Sequence, residues 1–302
     1  MNNISYTDDA LVECVPNFSE GRDWKIIESI HNAIAADGHC EVWDYSADAD
    51  HNRCVFTIAG SPNAIENAVM RFTSTAAQLI NMETHEGVHP CIGATDVVPF
   101  IPLRNISMEN CIHLSEKIGR RIADELGIPV YLYANSAKTT AHRRLADIRR
   151  GGYHILKEEI TSVPDRAPDY GPQTLPSCGG LSIGARDFLI AFNVYLDTAD
   201  VKIAKRIAKR IRESSGGFTG LQAIGLLVNN YAQVSMNLLD YRKTSMQTII
   251  LKIRKEAESD NVKPLYTELI GMLPRDALSD TTPGELMIKD FSESRIIESR
   301  MR

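Results

Sequence analysis

Residues 85 to 100 read His85-Glu86-Gly87-Val88-His89-Pro90-Cys91-Ile92-Gly93-Ala94-Thr95-Asp96-Val97-Val98-Pro99-Phe100. Two imidazoles, two carboxyl groups and a thiol stand here among two glycines and two prolines, so titratable groups fall where the backbone is broken out of regular structure. An imidazole titrates near about 6.5 and can give or take a proton around neutral pH, which makes a histidine of this loop a candidate acid and base. The literal pattern H-E-x-x-H also matches a zinc hydrolase, in which a helix sets His85 and His89 one turn apart with Glu86 as base. Pro90 after His89, and Gly87 between the histidines, oppose that helix; without it the two rings have no reason to converge on a metal. A third reading leaves both as loop histidines that serve solubility alone.

Other groups with chemistry are scattered. In His51-Asn52-Arg53 the guanidinium suits a forked grip on a carboxylate, or an ion pair with Asp44 or Asp48 in the preceding turn. Six cysteines, at 14, 40, 54, 91, 111 and 178, include no C-x-x-C pair and read as reduced thiols. Cys14, Cys40 and Cys54 fall in strand patterns as small buried hydrophobes, whereas Cys91, among the histidines, would be reactive only with a lowered pKa. The run Lys202, Lys205, Arg206, Lys209, Arg210 and Arg212 reads as a solvated helix face or as an attractor of acidic substrates.

Periodicity supplies the elements that must position these groups. A strand over Leu11 to Pro16 precedes a helix capped by Asp23, with Trp24, Ile27, Ile30 and Ile34 on one face. Two strands, Glu41 to Tyr45 and Cys54 to Ala59, flank a polar turn, and Ser61-Pro62 opens a second helix. After the site loop, Asp96 to Leu103 is extended, Ser107 caps a third helix that Gly127 stops, and Val130 to Tyr133 is a strand. The second half repeats the theme: strand Phe188 to Leu196, a helix capped by Thr198, strands Leu221 to Val228 and Tyr231 to Leu238 about Asn229-Asn230, a helix through Ile253, and a strand near Tyr266 to Gly271.

The order β-α-β-β-α-β in each half predicts an α+β protein of two ferredoxin-like subdomains, residues 1–180 and 181–302, whose antiparallel or mixed sheets face each other. The Pro-, Gly- and Ser-rich stretch from Gly151 to Gly180 reads as their link. Alternation in the strand from Tyr231 puts Tyr231, Gln233, Ser235 and Asn237 on a polar face, either plain surface or one wall of a cleft.

Composition narrows the function. With 302 residues and 43% hydrophobic ones the chain can bury one large core or two modest ones. The 33 basic and 39 acidic side chains give a net charge of -6, which disfavours nucleic acid as partner. No apolar run reaches the roughly 20 residues of a membrane span, and the first ten residues lack a signal peptide's apolar core, so the expectation is a cytoplasmic protein without membrane contact.

The motif His85-x-Gly87-x-His89-Pro90-x-x-Gly93-Ala94-x-Asp96-Val97-x-Pro99-Phe100-Ile101-Pro102 resembles the signature loop of glutamate formiminotransferases, the folate enzymes that finish one route of histidine breakdown. The likeness extends to Leu11-Val12-Glu13-Cys14-Val15-Pro16-Asn17-Phe18-Ser19-Glu20-Gly21, His51-Asn52-Arg53, Ala167-Pro168-Asp169-Tyr170-Gly171-Pro172, Gly184-Ala185-Arg186 and Ala232-Gln233-Val234-Ser235-x-Asn237-Leu238. It implies the two-subdomain fold, a cleft between the halves, and transfer of a formimino group from N-formimino-L-glutamate to N5 of tetrahydrofolate as co-substrate. His89 is the implied acid and base, with Asp44 or Asp96 supporting its ring and Arg53, Asn52 and Asn237 on the substrate. The stretch Gly171, Pro172, Gln173, Thr174, Leu175, Pro176, Ser177, Cys178, Gly179 and Gly180 corresponds to the family's folate-contacting segment. No metal is implied. The family tends to dimerise, so a homodimer is expected, with the pathway's cyclodeaminase on a separate polypeptide. Three departures stand out: Cys91 where the family has arginine, Val88 where it has a small or polar residue, and Ser46 where the animal enzymes have an acid. They leave open a non-enzymatic folate-binding protein or a transferase with a formyl donor.

Overall fold

The computed structural model describes residues 6–88 and 90–301. It consists of two compact units that part between Arg186 and Asp187.

In the first unit, β1 (Leu11–Cys14) and β2 (Asn17–Phe18) are one strand interrupted at Pro16, which has no N-H to offer a ladder. Both pieces pair antiparallel with β4 (Arg53–Gly60) on one side and β5 (Thr95–Arg104) on the other. The strand β3 (Cys40–Asp48) lies beyond β4. The order β3-β4-β1/β2-β5 is that of a split βαβ sheet. Two parallel strands then extend it, β7 (Leu181–Ala185) on β5 and β6 (Val130–Leu132) on β7.

Its helices cover one face: α1 (Trp24–Ala35), α2 (Pro62–Leu79) and α3 (Met108–Leu126). The expected starts hold: Asp23, Ser61 and Ser107 each accept a backbone N-H of the first turn, and Gly127 ends α3 at φ 67°. Phe18, Phe56, Phe72 and Phe100 fill the core between sheet and helices. Phe18 meets Phe56 and Phe72 edge-on at 5.8 and 5.2 Å.

The stretch 151–180, expected as a linker, is folded into the first unit. It follows α4 (Leu145–Ile148), opens with α5 (Gly152–Glu159), and leads directly into β7. Buried Arg166 binds the carbonyls of Asp147, Ile148 and Arg150 at 3.0, 2.8 and 2.9 Å and so ties this stretch to the end of α4. Because β7 belongs to this sheet, the division falls at 186/187 and not after Gly180.

The second unit carries β8 (Ile190–Leu196), α6 (Val201–Ile211), β9 (Leu221–Val228), β10 (Tyr231–Leu238), α7 (Met246–Glu258) and β11 (Pro264–Ile270), with sheet order β11-β8-β10-β9. The hairpin turn holds Asn229 and Asn230 at φ 48° and 66°. Asp200, not Thr198, caps α6 by accepting from Lys202 N; the Thr198 hydroxyl accepts from Asp200 N one step earlier. The basic run on α6 is partly structural, since Arg206 and Arg210 both bind Glu256 of α7. Among the described residues no helix is long and apolar enough to cross a membrane.

Candidate functional site

The loop between α2 and β5 contains no helix over residues 85–88, so the one-turn spacing a zinc motif requires is absent there. His89 lies outside the described residues. Its loop is held from both ends by the stretch read as folate-contacting: Met82 N binds Ser177 O at 2.7 Å, Ala94 N binds Cys178 O at 2.7 Å, and Gly180 N binds Ile92 O at 2.9 Å. Only glycine fits at two points of the loop. A Cβ on Gly93 would stand 1.9 Å from Gly180 O, and one on Gly87 would stand 2.5 Å from His51 O. Leu175 of the bracing stretch is buried in the first core, whereas Gly171, Pro172, Gln173 and Thr174 are exposed.

Asn52 is the second brace. At φ 48° its amide oxygen accepts from Gly21 N at 3.0 Å and its amide nitrogen donates to Glu86 O at 3.0 Å. Both ends of the amide proposed for substrate are thus occupied by backbone. His85 meets Asn52 O through Nε2 at 3.1 Å and faces the Cys91 sulfur through Nδ1 at 3.8 Å. Ser19, tied to Gly93 O at 2.8 Å, closes that side.

These loops enclose a small pocket whose wall includes Asn17, His51, Arg53, Cys91 and Asp96. The Arg53 guanidinium binds the Asn17 side chain, and Asp48 accepts from His51 N at 2.8 Å, with His51 Nδ1 2.9 Å from its other oxygen. Asp96 is buried; its Oδ1 accepts from Ile92 N at 2.8 Å and its Oδ2 from Arg149. Burial, with the Arg149 charge beside it, lowers Arg53 to about 10, still protonated at neutral pH. Burial and the neighbouring Asp96 push the Cys91 thiol up to about 11, which opposes a thiolate at neutral pH.

Asp44 owes its direction to a bulge. The register shifts between Val42 and Asp44, so Asp44 pairs with Thr57 and not with core Phe56, and its side chain stands on the sheet face away from the helices. Glu13 shares that face, since Val12 and Cys14 on either side of it face the core. Burial raises the Glu13 carboxyl to about 7. Asn237, on β10 of the second unit, is exposed; of its predicted polar row Gln233 is buried and Ser235 half-buried.

The chain matches the family model for the formiminotransferase domain, N-terminal subdomain, over residues 11–186, and that for the formiminotransferase domain over residues 191–299. The chain belongs to the formiminotransferase family. It is 41% identical over 296 residues to the glutamate formimidoyltransferase of Thermoplasma acidophilum, covering 97% of each chain. To that of Streptococcus pyogenes it is 39% identical, covering 96% of this chain and 98% of the relative. It is also 41% identical to the formimidoyltransferase-cyclodeaminase of Mus musculus over 89% of this chain and 51% of that protein.

In this formiminotransferase the position after His89-Pro90 holds Cys91, and the cations near that thiol are Arg53 and Arg149. Sequence reasoning missed Arg149, which stands in no periodic pattern and reaches Asp96 from 53 positions away. It also missed Asn17 and Ser19, although both lie in the quoted motif Val15-Pro16-Asn17-Phe18-Ser19 and flank the strand break at Pro16.

Proposed function

We propose that this chain is a glutamate formimidoyltransferase, which moves the formimino group of N-formimino-L-glutamate to N5 of tetrahydrofolate and releases glutamate. The near full-length likeness to two glutamate formimidoyltransferases carries this reading. It favours formimino transfer over a folate-binding role without turnover and over a formyl donor. Both substrates are anions, and a pocket lined by the Arg53 guanidinium, with Arg149 bound to its Asp96, suits them.

Tetrahydrofolate supplies the accepting N5 amine. That amine loses a proton as the bond to the formimino carbon forms, and the glutamate nitrogen gains one as its bond breaks. His89, in the braced loop, is proposed to hold the proton between the two steps, a contribution of about 10² to 10⁴ in rate. Asp44 is proposed to support the charged ring. Asp96, with both oxygens engaged, contributes by holding the loop and Arg149. Arg53 is proposed to grip a substrate carboxylate, Asn237 to contact substrate through its exposed amide, and exposed Gly171 to Thr174 to contact folate. Asn52 shapes the wall. The protein is further proposed to act in the cytosol as a homodimer, in keeping with six cysteines that form no disulfide.

The test is a spectroscopic assay of purified protein with formiminoglutamate and tetrahydrofolate, run beside N-formylglutamate. Production of 5-formiminotetrahydrofolate from the first donor alone is expected; turnover of formylglutamate in its place would overturn the reading.

A further inference from the structure

Two guanidinium groups stand close to one carboxylate: Arg53 and Asp96 line the pocket, and Arg149 binds Asp96. Arg149 leaves the end of α4, where its N-H binds Leu145 O at 3.0 Å, and runs inward until its side chain is only 11% exposed. One terminal nitrogen binds Asp96. Its Nε is buried and has no hydrogen-bond partner among the described residues. Arg53 lies close enough that Arg149 and Asp96 both act on its charge, in opposite senses. Asp96 can offer little more, because its other oxygen is occupied by Ile92 N.

At two other carboxylates the surplus cations lie at the surface. Glu66 receives Lys117 and Arg121, and Glu256 receives Arg206, Arg210 and Lys252, but Lys117 and Arg210 are 52% and 53% exposed and water solvates the excess. The Arg149 head has no such recourse. A buried cation with an unused donor costs stability unless an anion completes it.

We infer that Arg149 and Arg53 form a carboxylate-binding site for a glutamyl group, with Asp96 as the positioning residue that aims Arg149. This rests on the formimidoyltransferase reading only for the identity of the glutamyl compound. The planar fork of arginine matches the two oxygens of a carboxylate, and the free Nε is the donor such a ligand takes up. A glutamyl carboxylate is present both in the donor and in the tail of folate, so the experiment separates the two sources.

The experiment compares wild type, Arg149→Gln, Arg149→Lys and Asp96→Asn. Calorimetric titration with glutarate, which cannot react, reads the site directly, and steady-state kinetics give KM for donor and for tetrahydrofolate beside a tetrahydropterin that lacks the glutamyl tail. Losing a charge-assisted hydrogen bond in Arg149→Gln should weaken glutarate about 10- to 100-fold, with Arg149→Lys between it and wild type. If the donor is the ligand, its KM rises by a similar factor while kcat and the folate KM stay near wild type. If the folate tail is the ligand, the folate KM rises and the tail-less acceptor is unaffected. Asp96→Asn should lower glutarate affinity less than Arg149→Gln does. Unchanged glutarate affinity and unchanged KM values in an Arg149→Gln protein that melts like wild type would overturn the site. If that variant does not fold, failure of wild type to bind glutarate at millimolar concentration, or equal affinity in Arg149→Lys, overturns it. Arg149-dependent glutarate binding in a protein that makes no formimino product would leave the site standing and remove the catalytic reading.

Discussion

The two units share one strand order and differ in how regular it is. In the second, β8 to β11 form a four-stranded antiparallel sheet with one register shift, between Pro264 and Tyr266. In the first, the same order is broken at Pro16, shifted at Leu11/Val12 and Asn17/Phe18, bulged at Trp43, and extended by two parallel strands. The irregular unit is also where buried Glu13, Asn17, Asn52 and Asp96 collect. A ladder broken at Pro16 or bulged at Trp43 turns polar side chains out of the regular alternation, and loops held by side-chain hydrogen bonds accommodate groups that a hydrophobic sheet face would reject. A regular frame provides stability, and its departures provide the site.

Changes in the two units should therefore fail differently, and the largest difference concerns the loop histidine. Replacing His89 by alanine should lower turnover by about 10² to 10⁴ with folate affinity kept, as measured by the transfer assay and by folate titration. Retention of most turnover would remove catalysis from this loop.

Next come two close-packed glycines. Alanine at Gly93 meets Gly180 O at 1.9 Å, and alanine at Gly225 meets Lys205 N of α6 at 2.2 Å. Each should lose about 1 to 3 kcal/mol in denaturant unfolding. Only Gly93→Ala should also reduce the turnover of folded protein, by about 10²-fold, because it displaces the site loop. Equal kinetic loss in both variants would erase the distinction between frame and site.

The pH dependence of stability separates two glutamates by sign. Burial raises Glu13 from 4.5 to about 7, so its favourable state is the protonated one: stability is full below pH 4.5 and falls as the pH rises toward 7. Lys252 and Arg210 lower Glu256 from 4.5 to about 2, so its contribution is present above pH 4.5 and is lost as the pH falls toward 2. In unfolding curves across this range, Glu13→Gln should gain on wild type as the pH rises from 4.5 to 7, and Glu256→Gln should be weakened at neutral pH and converge on wild type in acid.

The smallest contrast is between two asparagines at positive φ. Asn52→Gly loses the bonds to Gly21 and Glu86 and should cost about 1 to 3 kcal/mol. Asn230→Gly, in the hairpin turn, should stay within about 0.5 kcal/mol, since that position demands only the backbone angle. Melting temperatures of the pair check this.

Much of the frame was legible because it is local. Asp23, Ser61 and Ser107 announce helix starts by their own side chains, and Asn229-Asn230 announce a hairpin by tolerating positive φ. Where two neighbours competed, as Thr198 and Asp200 did for the start of α6, the sequence could not rank them. The stretch 151–180 misled because Pro, Gly and Ser mark any irregular backbone, and only contacts with distant residues make that backbone a brace and not a linker.

By itself the sequence determined the family, two βαββαβ halves, and a loop whose Gly87 and Pro90 oppose a helix, since periodicity, capping and breaker residues act over a few positions. Tertiary structure alone decided that Asp44 turns away from the core, that Asn52 serves the backbone, and that Arg149 meets Asp96 beside Arg53. The physical reason is that burial and charge pairing depend on which distant segments the packed sheet brings within hydrogen-bonding reach, and no spacing along the chain encodes that distance.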